Sequence, residues 1–192
     1  MLKLFSENVL KPEQLQVQHA EKSVNPSSSK TPIIIVPNST ASCLSMLNAC
    51  DFLRDGIFIS TEEKRKSGAT RESFMLFQHT DTTTGKVKVF KLMDNPTTLS
   101  SEDWHRVVAV FVSGQTWQFK GWKWSSPVEL FKNVMGIYLT FDDRPIDNNV
   151  LSWNCKTIKV NLTVMNISSV LVTFFFWNRS SNSKDIKTLV LQ

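Results

Sequence analysis

Cysteine is scarce in this chain: 192 residues hold three, Cys43, Cys50 and Cys155. An odd, sparse set without a Cys-x-x-Cys pair makes neither a disulfide framework nor a thiolate metal site, and it points to a reducing compartment. Cys43 and Cys50 stand seven apart, so on a helix they share a face, where free cysteine acts as a small core hydrophobe. Histidine is as thin. His19, His79 and His105 are far apart and lack metal-ligand spacing, so no metal or other cofactor is expected. Long apolar runs are missing too: the longest, Val170 to Trp177, has eight residues, under half of the ~20 that a spanning helix needs. Met1-Leu2-Lys3-Leu4-Phe5 leads straight into Ser6, Glu7 and Asn8, with no secretory h-region. Four sequons, at Asn38, Asn161, Asn166 and Asn178, then reflect Asn and Ser content only, and the expected compartment is cytosol or nucleus.

Catalytic chemistry is absent as well. The segment Pro37-Asn38-Ser39-Thr40-Ala41-Ser42-Cys43 follows an apparent opening strand but has no glycine and no lysine. A phosphate loop needs glycines so that backbone N–H groups can wrap the phosphates, and a lysine for their charge. Asn182-Ser183-Lys184-Asp185 has the letters of a guanine-specificity motif in scrambled order. Asp142-Asp143 reads as a solvated corner, and His105 near Asp103 as a surface pair, rather than as general acid and base. No Gly-x-Ser-x-Gly elbow occurs.

What is there is an ordinary globular composition, 41% apolar and 20% charged. The net charge of +5 favours acidic partners without naming one. Residues 1–30 read as a flexible N-terminal tail or linker: Leu10 to Ala20 could form a short polar helix, and Asn25-Pro26-Ser27-Ser28-Ser29 a linker. The folded part is expected over 31–192. Pro32-Ile33-Ile34-Ile35-Val36-Pro37 is apolar on both faces, as a buried parallel strand requires. Asn38-Ser39-Thr40 can cap a helix in which Cys43, Met46, Leu47, Cys50 and Leu53 form the buried stripe.

Glu62 to Arg71 is charged and without apolar periodicity. Phe74–Phe77 and Val87–Phe90, joined around Asp81–Gly85, predict an antiparallel hairpin. Val107 to Val112 carries the strongest strand signal and is expected to be central. Val128, Phe131, Val134 and Met135 mark a short amphipathic helix, with Pro127 in its first turn. Ile137 to Phe141 is a further strand. Ile158, Val160, Leu162 and Val164 alternate with polar residues, as in a strand with one wet face. Val170 to Trp177 fits either a strand or a helical stripe. The mixed order argues for an α/β fold with a largely parallel sheet.

One segment is unusual for its aromatic density: Asp103-Trp104-His105-Arg106-Val107-Val108-Ala109-Val110-Phe111-Val112, followed by Ser113-Gly114-Gln115-Thr116 and Trp117-Gln118-Phe119-Lys120-Gly121-Trp122. It closely resembles the signature of the C-terminal domain of the parafibromin family. Thr31–Pro37 resembles that family's opening strand, Met46-Leu47-Asn48-Ala49 its first helix, and Ser126-Pro127-Val128-Glu129-Leu130-Phe131 a further segment. Together these cover about residues 31–177.

The resemblance implies a Ras-like α/β fold, a mostly parallel sheet flanked by helices whose nucleotide site is lost, with Val170 to Trp177 in a C-terminal helix. It implies a nuclear, non-enzymatic subunit of the polymerase-associated factor complex, which travels with RNA polymerase II during elongation and promotes histone modification. The domain would bind other subunits, phosphorylated repeats of polymerase and elongation factor, and chromatin. Three departures stand against the pattern. Residues 1–30 cannot replace the family's long N-terminal half, His105 stands where the family has an acid, and the stretch after Asn178 is Ser- and Asn-rich rather than basic.

A phosphorylated repeat is an extended anion, best held by cations with several N–H donors beside an aromatic floor. The candidates are Arg106, Lys120 and Lys123 with Trp117 and Trp122, and around them Trp104 and Trp124. At least two of these four tryptophans are expected to be structural. A second basic patch comprises Lys64, Arg65, Lys66 and Arg71. The competing readings are direct nucleic-acid binding through the same residue types, a residual GTPase-like enzyme, and a divergent copy without partners.

Overall fold

The computed structural model describes residues 31–39, 41–80 and 85–160, together with the backbone of 188–191. Among the described residues seven strands and five short helices follow one another. They are β1 (Ile33–Ile35), α1 (Ala49–Asp55), α2 (Thr61–Lys66), β2 (Phe74–Thr80), β3 (Val87–Met93), α3 (Ser101–Trp104), β4 (Val107–Val112), α4 (Pro127–Asn133), β5 (Met135–Phe141), α5 (Asn148–Ser152), β6 (Cys155–Val160) and β7 (Thr188–Leu191). They build one sheet in the order β2-β3-β1-β4-β5-β6-β7. Every pairing is parallel except the β2–β3 hairpin. This is the Ras-like arrangement that the resemblance implied.

The sheet has a core on each face because its central strands are apolar on both. From β1, Ile34 points to one cluster and Ile33 and Ile35 to the other. β4 divides in the same way, Ala109 and Phe111 against Val110 and Val112. Its pairing with β1 slips by one residue, since Ile33 faces Val107 while Ile34 faces Ala109. Val108 is the extra residue of that irregularity. On the first face α1 lays down Ala49, Phe52 and Leu53; on the second, α4 lays down Leu130 and Phe131. Where α4 crosses β5, a Cβ on Gly136 would lie 2.5 Å from the Phe131 ring and 2.8 Å from Cys155 Cβ. Only glycine fits there.

The first helix is shorter than the spacing of Cys43 to Leu53 suggested. Residues 41–48 form turns and the helix starts at Ala49 with Asn48 at its N-cap. Asn48 is the physical reason. Its buried amide oxygen accepts from the Ser45 N–H at 2.9 Å, and its nitrogen donates to the Cys43 and Ile59 carbonyls at 2.8 and 2.9 Å. Those bonds take the backbone of 43–45 out of a helical ladder. Cys43 and Cys50 still pack, half-buried, against the first core cluster.

The charged stretch read as having no apolar periodicity overlaps α2, a helix without a single buried residue. Ser60 and Glu63 hold it by a reciprocal capping box: the Glu63 N–H donates to Ser60 Oγ and the Ser60 N–H to the Glu63 carboxylate, both at 3.1 Å. In α4 the stripe turns by a fraction of a turn: Leu130 is fully buried and Val128 is 62% exposed. β6 is a strand as expected, but internal to the sheet, so Thr157 on its supposed wet face is buried. The strand β7 was not foreseen. The expected helices at Leu10–Ala20 and Val170–Trp177, and Leu162 and Val164 of the alternating run, lie outside the described residues.

Candidate functional site: an aromatic shelf on the second face of the sheet

α3 is a single turn fixed by its own capping box, in which Asp103 accepts from the Ser100 N–H at 3.0 Å and the Ser100 hydroxyl at 2.9 Å. The remaining carboxylate oxygen of Asp103 accepts from Arg106 Nη2. Arg106 also donates through Nη1 to the Thr31 carbonyl at 3.0 Å, and its own carbonyl receives the Ile33 N–H at 2.8 Å. It thus fastens the entry of β1 to the turn before β4. The Arg106 guanidinium, with the Ser100 bonds, holds the Asp103 carboxyl down at about 2.

Six rings then pack under the second face. Trp104 is buried and meets Trp122 and Trp124 at centroid distances of 5.9 and 5.3 Å. Phe119, fully buried, meets Trp122, Phe131 and Trp153 edge to face at 5.4, 6.0 and 5.4 Å. Such pairs add about 1 kcal/mol each beyond burial. Gln118 locks the 3-10 turn Thr116–Phe119 to the end of β4. Its amide donates to the Phe111 carbonyl at 2.9 Å, and its oxygen accepts from the Ser113 N–H at 2.8 Å and the Ser113 hydroxyl at 3.0 Å.

On this anchored turn Trp117 is 60% exposed. Lys120 is exposed on the turn after it. Lys123 is exposed as well, with Nζ over the Trp124 ring at 5.0 Å and 3.4 Å from the Ser101 carbonyl. Of the four tryptophans, Trp104 is core and Trp122 and Trp124 are half-buried against it. Trp117 alone presents most of its ring to solvent. His105 is exposed and takes no part in the Asp103–Arg106 pair. Sequence reasoning missed Phe131 and Trp153 as the floor of the shelf, since each lies far from the aromatic segment in the chain.

Three of the four cations of the second basic patch are already paired. Lys64 pairs with Asp51 of α1 at 2.6 Å, Lys66 with Glu62 of its own helix at 2.8 Å, and Arg71 with buried Asp94 at 2.8 Å. Arg65 has no ion-pair partner among the described residues.

Residues 28–186 match the family model described as "RNA pol II accessory factor, Cdc73 family, C-terminal". The chain belongs to the Cdc73 family. It is 33% identical over 137 residues to Cell division cycle protein 73 of Caenorhabditis elegans, covering 70% of this chain and 26% of that protein. Identity to Protein CDC73 homolog of Arabidopsis thaliana is 33% over 135 residues, covering 68% and 32%. With Cell division control protein 73 of Saccharomyces cerevisiae it is 28% over 150 residues, covering 78% and 37%. The solved conserved domain of yeast Cdc73 superposes with a TM-score of 0.66 at 27% identity, covering 77% of this chain and 92% of that domain. The Ras-like fold is therefore shared with a Cdc73 relative. The chain spans about a quarter to two-fifths of these full-length relatives.

Proposed function

We propose that this chain is a non-enzymatic recruitment module of the polymerase-associated factor complex, acting in the nucleus during RNA polymerase II elongation and the histone modification that accompanies it. Residues 1–30 serve as a tether and 31–192 as the folded module. Its ligand is a phosphorylated repeat of polymerase or elongation factor, and its further partners are the other subunits of the complex and chromatin. The observation that carries the reading is the exposed Trp117 on a turn anchored by Gln118, with Lys120 and Lys123 on the same short segment. A rigid aromatic stacks on tyrosine and proline of an extended peptide at small entropic cost, and the two ammonium groups meet its phosphates. Trp122 supports the shelf from below. Arg106 acts as a positioning residue, because Asp103 and the Thr31 carbonyl engage its guanidinium.

Fluorescence anisotropy with labelled repeat peptides, phosphorylated and not, at two salt concentrations tests the reading. Preference for the phosphorylated form supports it. Equal binding of both forms together with tight, steeply salt-dependent binding of nucleic acid would replace it with the nucleic-acid reading.

A further inference from the structure

On the opposite, first-cluster side of the sheet, beyond the carboxyl end of β5, lies a cleft of about 420 Å³. Ligands of open α/β sheets bind outside the carboxyl ends of the strands, and this volume is within the range of ligand pockets. Its walls are Cys43 from the loop after β1, Phe58 from the α1–α2 connection and Phe141 at the end of β5. The two phenylalanines meet edge to face at 5.5 Å.

Two guanidinium groups line this one cleft, Arg65 from α2 and Arg144 from the turn after β5. Neither has an ion-pair partner among the described residues. Arg144 rests over the Phe141 ring at 5.0 Å. The nearby acids are occupied: Glu62, which also lines the cleft, pairs with Lys66 at 2.8 Å, and Glu63 accepts from the Ser60 hydroxyl at 2.8 Å. Asp142 and Asp143 are exposed and form no ion pair with Arg144.

We propose that this cleft binds a phosphorylated side chain of a partner protein, with Arg65 and Arg144 as the groups that grip the phosphate. Arginine forks match phosphate oxygens, and the two that line this cleft form no ion pair among the described residues, while Glu62 beside them is paired with Lys66. The aromatic walls take the apolar part of the residue that carries the phosphate. The loop after β1 has no glycine to let its backbone wrap a chain of phosphates, which favours a single phosphate over a nucleotide. The cleft and the Trp117 shelf lie on different faces of the sheet, so either site can fail without the other.

Cys43 in the cleft wall reports occupancy directly. The full chain is alkylated with and without a phosphoserine peptide, inorganic phosphate or GTP, and modification of each cysteine is followed by peptide mass, with Cys50 and Cys155 as internal controls. At a peptide concentration ten times its Kd, Cys43 alkylation slows about tenfold, and Arg65→Gln or Arg144→Gln abolishes the protection. Should Arg144→Gln fail to fold, Arg65→Gln, on the exposed face of α2, carries the test. No protection by the phosphopeptide, or protection that survives both substitutions, overturns the proposal. Equal protection by inorganic phosphate overturns the assignment to a side chain, and stronger protection by GTP returns the cleft to nucleotide.

Discussion

Arg71 grips the carboxylate of Asp94 with two hydrogen bonds, Nε to Oδ2 at 2.8 Å and Nη2 to Oδ1 at 2.9 Å. The Asp94 side chain is 3% exposed, and Arg71 approaches it from solvent at 53%. A buried carboxylate that loses its partner keeps its desolvation penalty. Arg71→Ala is therefore expected to cost about 2 kcal/mol, less than a fully buried pair because water reaches the guanidinium side. Lys66→Ala, which breaks an exposed pair with Glu62, leaves the urea midpoint unchanged. Equal midpoint shifts for the two variants would refute this difference.

Gly136→Ala places a methyl group where α4 and β6 meet β5, against the Phe131 ring and Cys155. Both neighbours are held in the second core, so relief requires α4 to move. Overpacking of this kind costs about 2 kcal/mol, measured by chemical denaturation. A variant as stable as the parent would show that α4 sits loosely on the sheet.

Asp103 makes stability depend on acid. Its folded pKa, about 2, lies below the unfolded value of about 4. The folded state therefore binds fewer protons, and the contribution is complete above pH ~4 and lost as pH falls towards ~2. Thermal melts of the parent should lose more midpoint across that window than melts of Asp103→Asn, which lacks this titration. Parallel curves for the two proteins would contradict the assignment.

The shelf separates support from contact. Phe119→Ala empties the centre of the ring cluster and is expected to cost about 4 kcal/mol, whereas Trp117→Ala changes stability by less than ~0.5 kcal/mol. A large loss from Trp117→Ala in a denaturant titration would make that ring structural.

Much of this architecture was legible in the chain. Val107–Val112 and Pro32–Pro37 are rich in β-branched residues and apolar on both faces, as a buried parallel strand requires, and they are the strands that carry both cores. The hairpin was legible from its turn. Asn48 was not, because its three hydrogen bonds, one of them to Ile59, depend on tertiary position. α2 was hidden since its capping box lies in polar residues with no apolar stripe to reveal it. For the proposed site, Trp117, Lys120 and Lys123 are close in the sequence and exposed in the fold, but spacing could not tell that Arg106 would turn to Asp103 and Thr31. Arg65 and Arg144 are 79 positions apart in the sequence, and only the fold brings them to one cleft.

The most direct test of the central claim is the affinity of the full chain for a phosphorylated repeat peptide, compared between the parent, Trp117→Ala and the Lys120→Ala/Lys123→Ala pair. The account predicts that the parent prefers the phosphorylated peptide, and that each variant weakens it about tenfold, near 1.4 kcal/mol, with thermal melts unchanged. Undiminished affinity in both variants, or no preference for phosphate in the parent, would contradict it.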